Sequence, residues 1–270
     1  MRRTSRRVAV LGLLAALGAA GWTASANAAT ATATSAVRVT AAFDRGARLG
    51  AATALAVTLR LDPRRLTAPV TEIRLAYPQE LGLVSSGLGL ATCTRPASDF
   101  AAVLVSGPLL GGCPPNAVMG YGEAHAIVRL LQSGQAIPEY ATVTLLSGTI
   151  EQGKLGLVVY VDGQRPFGGE LAFAGDVADA APPFGGVLTV RMPAIPGIQG
   201  IATVSLAELR LVIGSHAIRY WRRQHGRRVA YRPDGIELPA RCPRGAFRFR
   251  AEVRFADGGR SSTSSVTPCP

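Results

Sequence analysis

Apolar and polar residues alternate one by one along much of this chain. Leu55, Val57, Leu59 and Leu61 are interleaved with Ala56, Thr58, Arg60 and Asp62, and Val37, Val39 and Ala41 with Arg38, Thr40 and Ala42. A repeat of two sends one set of side chains to each face of an extended strand, whereas a helix needs apolar residues every three or four positions. Further strands are expected at Val70–Tyr77, Ala124–Leu130, Tyr140–Ile150, Leu155–Val161, Glu170–Ala174, Gly186–Met192, Ala202–Ile213, Ala217–Arg223, Arg227–Arg232 and Ala246–Phe255. Turn chemistry separates many of them: Asp162-Gly163, Pro166 to Gly169, Pro182 to Gly186, Asp234-Gly235 and Asp257 to Gly259. Only Pro96–Val105 reads as a helical turn or two. The 31 glycines and 18 prolines suit many turns, and 48% hydrophobic against 17% charged residues supplies a core and excludes a disordered chain. The fold class expected is all-β: an antiparallel β-sandwich, immunoglobulin-like or jelly-roll-like. It is read as one domain over 29–270, with two packed β subdomains meeting near 177–200 as the alternative.

The N-terminus has four arginines in its first seven residues, an apolar run Val8–Ala20, and then Ser25-Ala-Asn-Ala28. That order is the pattern of a secretory signal peptide over residues 1–28, cleaved after Ala28. The run is too short to span a bilayer, and no later segment is long and apolar enough, so the mature chain is expected to be secreted or held at the cell surface without a transmembrane segment. Export places Cys93, Cys113, Cys242 and Cys269 in an oxidising compartment, where an even count points to two disulfides. Three pairings are possible. The local ones, Cys93–Cys113 and Cys242–Cys269, each close a loop of about 20 to 30 residues and are the ones expected. No Cys-x-x-Cys and no neighbouring His suggests a metal, and no cofactor is expected.

Positive charge is concentrated. The chain carries 29 basic and 17 acidic residues, a net +12, and Lys154 is its single lysine. Loss of Arg2, Arg3, Arg6 and Arg7 with the signal would leave +8, and the window Arg219–Arg254, with 11 Arg against Asp234, Glu237 and Glu252, carries +8 by itself. Within it, residues 217–232 read as a hairpin turning at His225-Gly226. A two-residue loop sets Trp221 opposite Ala230 and Arg223 opposite Arg228, and puts Arg219, Trp221, Arg223, Arg228, Ala230 and Arg232 on one face. Like charges directly opposite each other are destabilising. Their presence suggests splaying into solvent, stacking on Trp221, or a bound anion. Arg219, Trp221, Arg222, Arg223, Arg227, Arg228 and Arg232 are therefore the candidate binding residues, for phosphate- or carboxylate-bearing polymers of a cell envelope. Nucleic acid is not expected as the partner of an exported protein.

No catalytic residue is nominated. Gly-x-Ser-x-Gly, His-Glu-x-x-His and the phosphate-binding Gly-x-x-x-x-Gly-Lys-Ser/Thr do not occur. Glu123 and His125 lie two apart on one strand and so share a face, but no third partner for a metal or an acid–base pair is identifiable. The leading expectation is a non-catalytic surface or envelope interaction module. The alternatives are a secreted hydrolase of polysaccharide or ester substrates, whose paired carboxylates need leave no local signature, and a protein that self-associates through sheet edges.

Three stretches carry a resemblance: Tyr77 to Cys93, Gly112-Cys-Pro-Pro-Asn-Ala-Val-Met-Gly-Tyr-Gly122, and Arg241 to Phe249 with the closing Pro268-Cys-Pro270. They resemble uncharacterised exported β-rich proteins of high-GC Gram-positive bacteria, in which a Pro-x-Gly-Leu type segment leads to a Cys and Cys-Pro-x-x-Ser-x-x-Gly follows. Ala117 stands here where that pattern has Ser, so no role for its hydroxyl carries over. The resemblance implies export, β structure and pairing of Cys93 with Cys113. It implies no activity, because the group has none assigned.

Overall fold

The computed structural model describes residues 36–66, 68–83, 91–94, 113–192, 200–214, 217–232, 235–243 and 246–270. The expected signal peptide, the Pro96–Val105 segment and His216 lie outside them. In chain order the strands are β1 (Val37–Phe43), β2 (Ala52–Thr53), β3 (Leu55–Leu61), β4 (Val70–Pro78), β5 (Gly82–Leu83), β6 (Val118–Leu130), β7 (Ala136–Glu151) and β8 (Lys154–Arg165). They continue as β9 (Gly169–Asp179), β10 (Phe184–Arg191), β11 (Ala202–Ile213), β12 (Tyr220–Gln224), β13 (Arg227–Tyr231), β14 (Ile236–Glu237), β15 (Ala246–Phe255) and β16 (Arg260–Pro268). The protein is all-β and antiparallel, as the alternation requires.

Eleven strands form one continuous sheet, ordered β1-β3-β11-β6-β7-β8-β9-β10-β4-β15-β16. Register is set by the apolar half of each alternation. Val37 pairs with Leu61 and Val39 with Leu59, while Leu209, Leu211 and Ile213 sit opposite Leu59, Val57 and Leu55 on the other side. These side chains point into a core shared by nearly the whole sheet, where Phe247, Phe249, Val253 and Phe255 of β15 are also buried. Phe43 meets Phe247 edge to face at 4.9 Å. The sheet curls until its two edges meet, and the Thr267 hydroxyl donates to the Ala41 carbonyl across the seam at 2.7 Å. An odd number of antiparallel strands leaves β1 and β16 running in the same direction, so the seam closes without continuing the antiparallel ladder. A sheet that curls onto itself buries its edges as well as its inner face.

At the end where β3 begins and β4 finishes, β2, β14 and β5 form a three-stranded cap whose Ile236, with Leu238 just beyond it, is buried in the main core. A second, smaller core lies on the outer face of β7, β8 and β9, where Leu146, Val158 and Ala172 are covered by the Cys93–Cys113 disulfide and Ala117. The second disulfide, Cys242–Cys269, ties the segment after β14 to the end of β16.

Three local expectations are corrected. β6 starts at Val118, six residues before the expected Ala124, because Gly120 and Gly122 serve close packing and not a turn. A Cβ on Gly122 would lie 1.9 Å from the Arg210 carbonyl oxygen of neighbouring β11. Asp162-Gly163 is strand, not turn: β8 runs through it to Arg165, with a register shift opposite Tyr140 and Ala141. β16 was not anticipated at all, since Arg-Ser-Ser-Thr-Ser-Ser-Val-Thr-Pro carries almost no apolar half. The stretch 177–186 forms the end of β9, a turn and the start of β10, which pair directly.

Candidate functional site

The basic hairpin forms with the two-residue turn. Tyr220 is opposite Tyr231, Trp221 opposite Ala230, Arg222 opposite Val229, Arg223 opposite Arg228, and Gln224 opposite Arg227. His225 (φ +51°) and Gly226 (φ +77°) both take the left-handed conformation that a type I′ turn demands. Arg219 and Arg232 flank the ladder, and both are exposed.

Trp221, Arg223, Arg228 and Ala230 share one face, while Arg222, Gln224, Arg227 and Val229 share the face of Tyr220. The tip is therefore cationic on both sides. The Arg228 guanidinium lies over the Trp221 ring, 4.5 Å from its centroid, and Trp221 remains 42% exposed. Stacking fixes one guanidinium of the opposed pair and leaves its edge free to donate. Among the described residues no carboxylate lies within ion-pair distance of Arg219, Arg223, Arg227, Arg228 or Arg232.

The hairpin is pinned at its base by residues the sequence reading did not single out. Tyr220 is fully buried, and its hydroxyl donates to the Val118 carbonyl at the start of β6. Asn116, in a 3-10 turn over Pro115–Ala117, grips the Trp221 backbone twice. Its Nδ2 donates to the Trp221 carbonyl at 2.8 Å, and its Oδ1 accepts from the Trp221 N–H at 3.2 Å. Ala117 packs beneath the Cys93–Cys113 disulfide, so the bridge steadies the turn that holds the hairpin. A half-buried amide gripping both the N–H and the C=O of one residue fixes the direction in which the strands leave the body.

Glu123 and His125 do reach one face, the outer face of β6, but each has structural company. Across the sheet Glu123 sits opposite Arg210 and His125 opposite Glu208. Glu208 is bridged by Arg210 at 2.6 Å and Arg60 at 3.1 Å, and these hydrogen bonds, the Arg210 one foremost, hold its carboxyl below the ordinary value. His125 stacks flat on Tyr140, with centroids 4.6 Å apart and planes 6° apart. Its buried Nε2 has no hydrogen-bond partner among the described residues. On the next strands Tyr160 is held above the usual tyrosine range, first by burial and then by its hydrogen bond to Glu170. No group of three or more His, Cys, Asp or Glu among the described residues could hold a metal ion. Away from this face, an open hollow of about 400 Å³ is lined by Asp44 to Ala47, Ala52 and Thr53.

Comparisons with known proteins add no relative: no family model, no curated protein and no solved structure matches the chain.

Proposed function

We propose that this chain is a non-catalytic binding module that holds anionic polymers of the cell envelope or cell surface through the β12–β13 hairpin. One observation carries the reading: Arg223 and Arg228 are held opposite each other, exposed and without a carboxylate among the described residues, with Arg228 fixed on Trp221. A directly opposed like-charged pair costs a few tenths to about 1 kcal/mol in a sheet. An anion between the two guanidinium forks turns that cost into two charge-assisted contacts. The shape is a convex ribbon and not a pocket, which suits a polymer presenting many charges over a small molecule needing enclosure. Two disulfides fit an oxidising compartment, and no helix among the described residues is long and apolar enough to cross a membrane.

The test is retention of the chain on isolated envelope polymers across a salt series. Binding through arginines is expected to weaken steeply with added salt as the exposed charges are screened. Arg223→Ala with Arg228→Ala is expected to abolish salt-sensitive retention while leaving the circular dichroism unchanged. Retention equal to that of the parent chain would dispose of the reading.

A further inference from the structure

We infer that the outward face of β6, β7 and β11, which starts where the hairpin is tethered, holds the sugar rings of the same ligand, so that the polymer is an acidic polysaccharide and not a polyanion of any backbone. This inference rests on the hairpin reading and adds a second subsite to it.

Two tyrosines stand out on that face. Tyr121 is 42% and Tyr140 52% exposed, and the β6–β7 register puts both on the same side of the sheet. An exposed phenol ring offers an apolar plane to the C–H face of a pyranose. Tyr140 is presented in a fixed attitude, because His125 lies flat against its other side. A ring already oriented loses little freedom when a ligand stacks on it. Between the two rings lie Glu123 and, on the neighbouring strand, Arg210 bound to Glu208. These are planar donors and acceptors of the kind that pair with sugar hydroxyls, and Arg210 and Glu208 are fixed by their ion pair before a ligand arrives.

Charge divides the work. The ladder positions between and beside the two rings set Glu123 and Glu208 against Arg60 and Arg210, an even balance, whereas the hairpin is cationic on both sides. A polymer with charged substituents on uncharged rings meets both requirements. The layout is also linear. The hairpin is tied to Val118, Tyr121 follows three residues later on the same strand, and Tyr140 is opposite His125, four residues beyond. At roughly 3.3 Å per residue, the tether point of the hairpin and the two rings lie along about 20–25 Å of one strand.

Polygalacturonate and poly-L-glutamate are the probes, since both are carboxylate polymers and only the first is built of sugar rings. Affinity electrophoresis of the full chain is expected to show polygalacturonate binding about tenfold more tightly per carboxylate. Tyr121→Ala with Tyr140→Ala should erase that preference without changing the affinity for poly-L-glutamate. Arg223→Ala with Arg228→Ala should weaken both polymers together. Tyr140→Phe, which keeps the ring, should keep the preference, and circular dichroism checks that each variant is folded. Equal affinity of the parent chain for the two polymers overturns the sugar subsite and leaves the hairpin standing, as does an unchanged preference in the tyrosine double variant. Loss of preference in Tyr140→Phe overturns the stacking argument. Failure to bind either polymer overturns both readings.

Discussion

Four arginines of the sheet wall and those at the tip of the hairpin are the same residue put to opposite uses. On the wall, Arg60 and Arg210 close on Glu208, Arg191 on Asp176, and Arg254 on Glu72 and Glu252. On the hairpin, Arg223 faces Arg228, and Arg228 lies over the Trp221 ring with no carboxylate in ion-pair distance among the described residues. The contrast shows that arginine richness by itself says little about binding. What matters is whether each guanidinium has a carboxylate of its own, because a paired surface charge contributes at most about 1 kcal/mol and has little net charge left to attract an anion.

The contrast is sharpest between two adjacent residues on opposite faces of β12. Tyr220 is buried, so Tyr220→Ala should remove both its packing and the Val118 hydrogen bond, costing about 3 kcal/mol. Trp221→Ala should barely move the melting temperature but should weaken polyanion retention several-fold, since Arg228 loses its support. Thermal denaturation and retention measured side by side would separate the two. If both variants melted alike, the division between anchoring and binding faces would fall.

The next largest effect sets wall against hairpin. Arg223→Ala with Arg228→Ala should lower retention more than tenfold while leaving stability unchanged or raised by less than about 1 kcal/mol, since the opposed charges are gone. Arg60→Ala with Arg210→Ala removes the same charge from the wall and should leave retention of a non-sugar polyanion within about twofold. Equal losses from the two pairs would mean that net charge, and not the hairpin, does the binding.

Asn116→Ala tests whether the tether matters. It deletes two hydrogen bonds to the Trp221 backbone, a change of about 1–2 kcal/mol, without altering any charge. Hydrogen exchange should speed up along β12 and β13 and stay the same in β15.

Glu208 gives the smallest effect. Its carboxyl is held below the ordinary value of 4.5 by Arg210 and Arg60, so the stabilisation is present above that pH and is lost as pH falls through the lower folded value. Glu208→Gln should flatten the acid side of the stability profile by less than about 1 kcal/mol, measured by urea titration at several pH values.

The hairpin was readable in advance because its turn and its register are set locally. His225-Gly226 supplies the two left-handed residues, and alternation then assigns every side chain to a face. Long alternating strands such as β11 and β15 were readable for the same reason. What stayed hidden depends on distant neighbours. Gly120 and Gly122 break the alternation at the start of β6, and only the approach of Arg210 on β11 accounts for Gly122, while β16 shows no pattern because small polar residues suffice on an edge. Asn116 grips a peptide 105 residues away, a partnership that no spacing announces. Tyr121 and Tyr140 are single aromatics on different strands, placed on one face only by the β6–β7 register.

Trp221 can report directly on whether its face meets a polyanion. In a Trp22→Phe background it is the sole tryptophan, and its emission can be followed while poly-L-glutamate is added. The account predicts a saturable change in emission that is reversed by about 0.5 M salt and is absent when Arg223 and Arg228 are both alanine. Emission that stays constant through the titration, or the same response with both arginines removed, would contradict it.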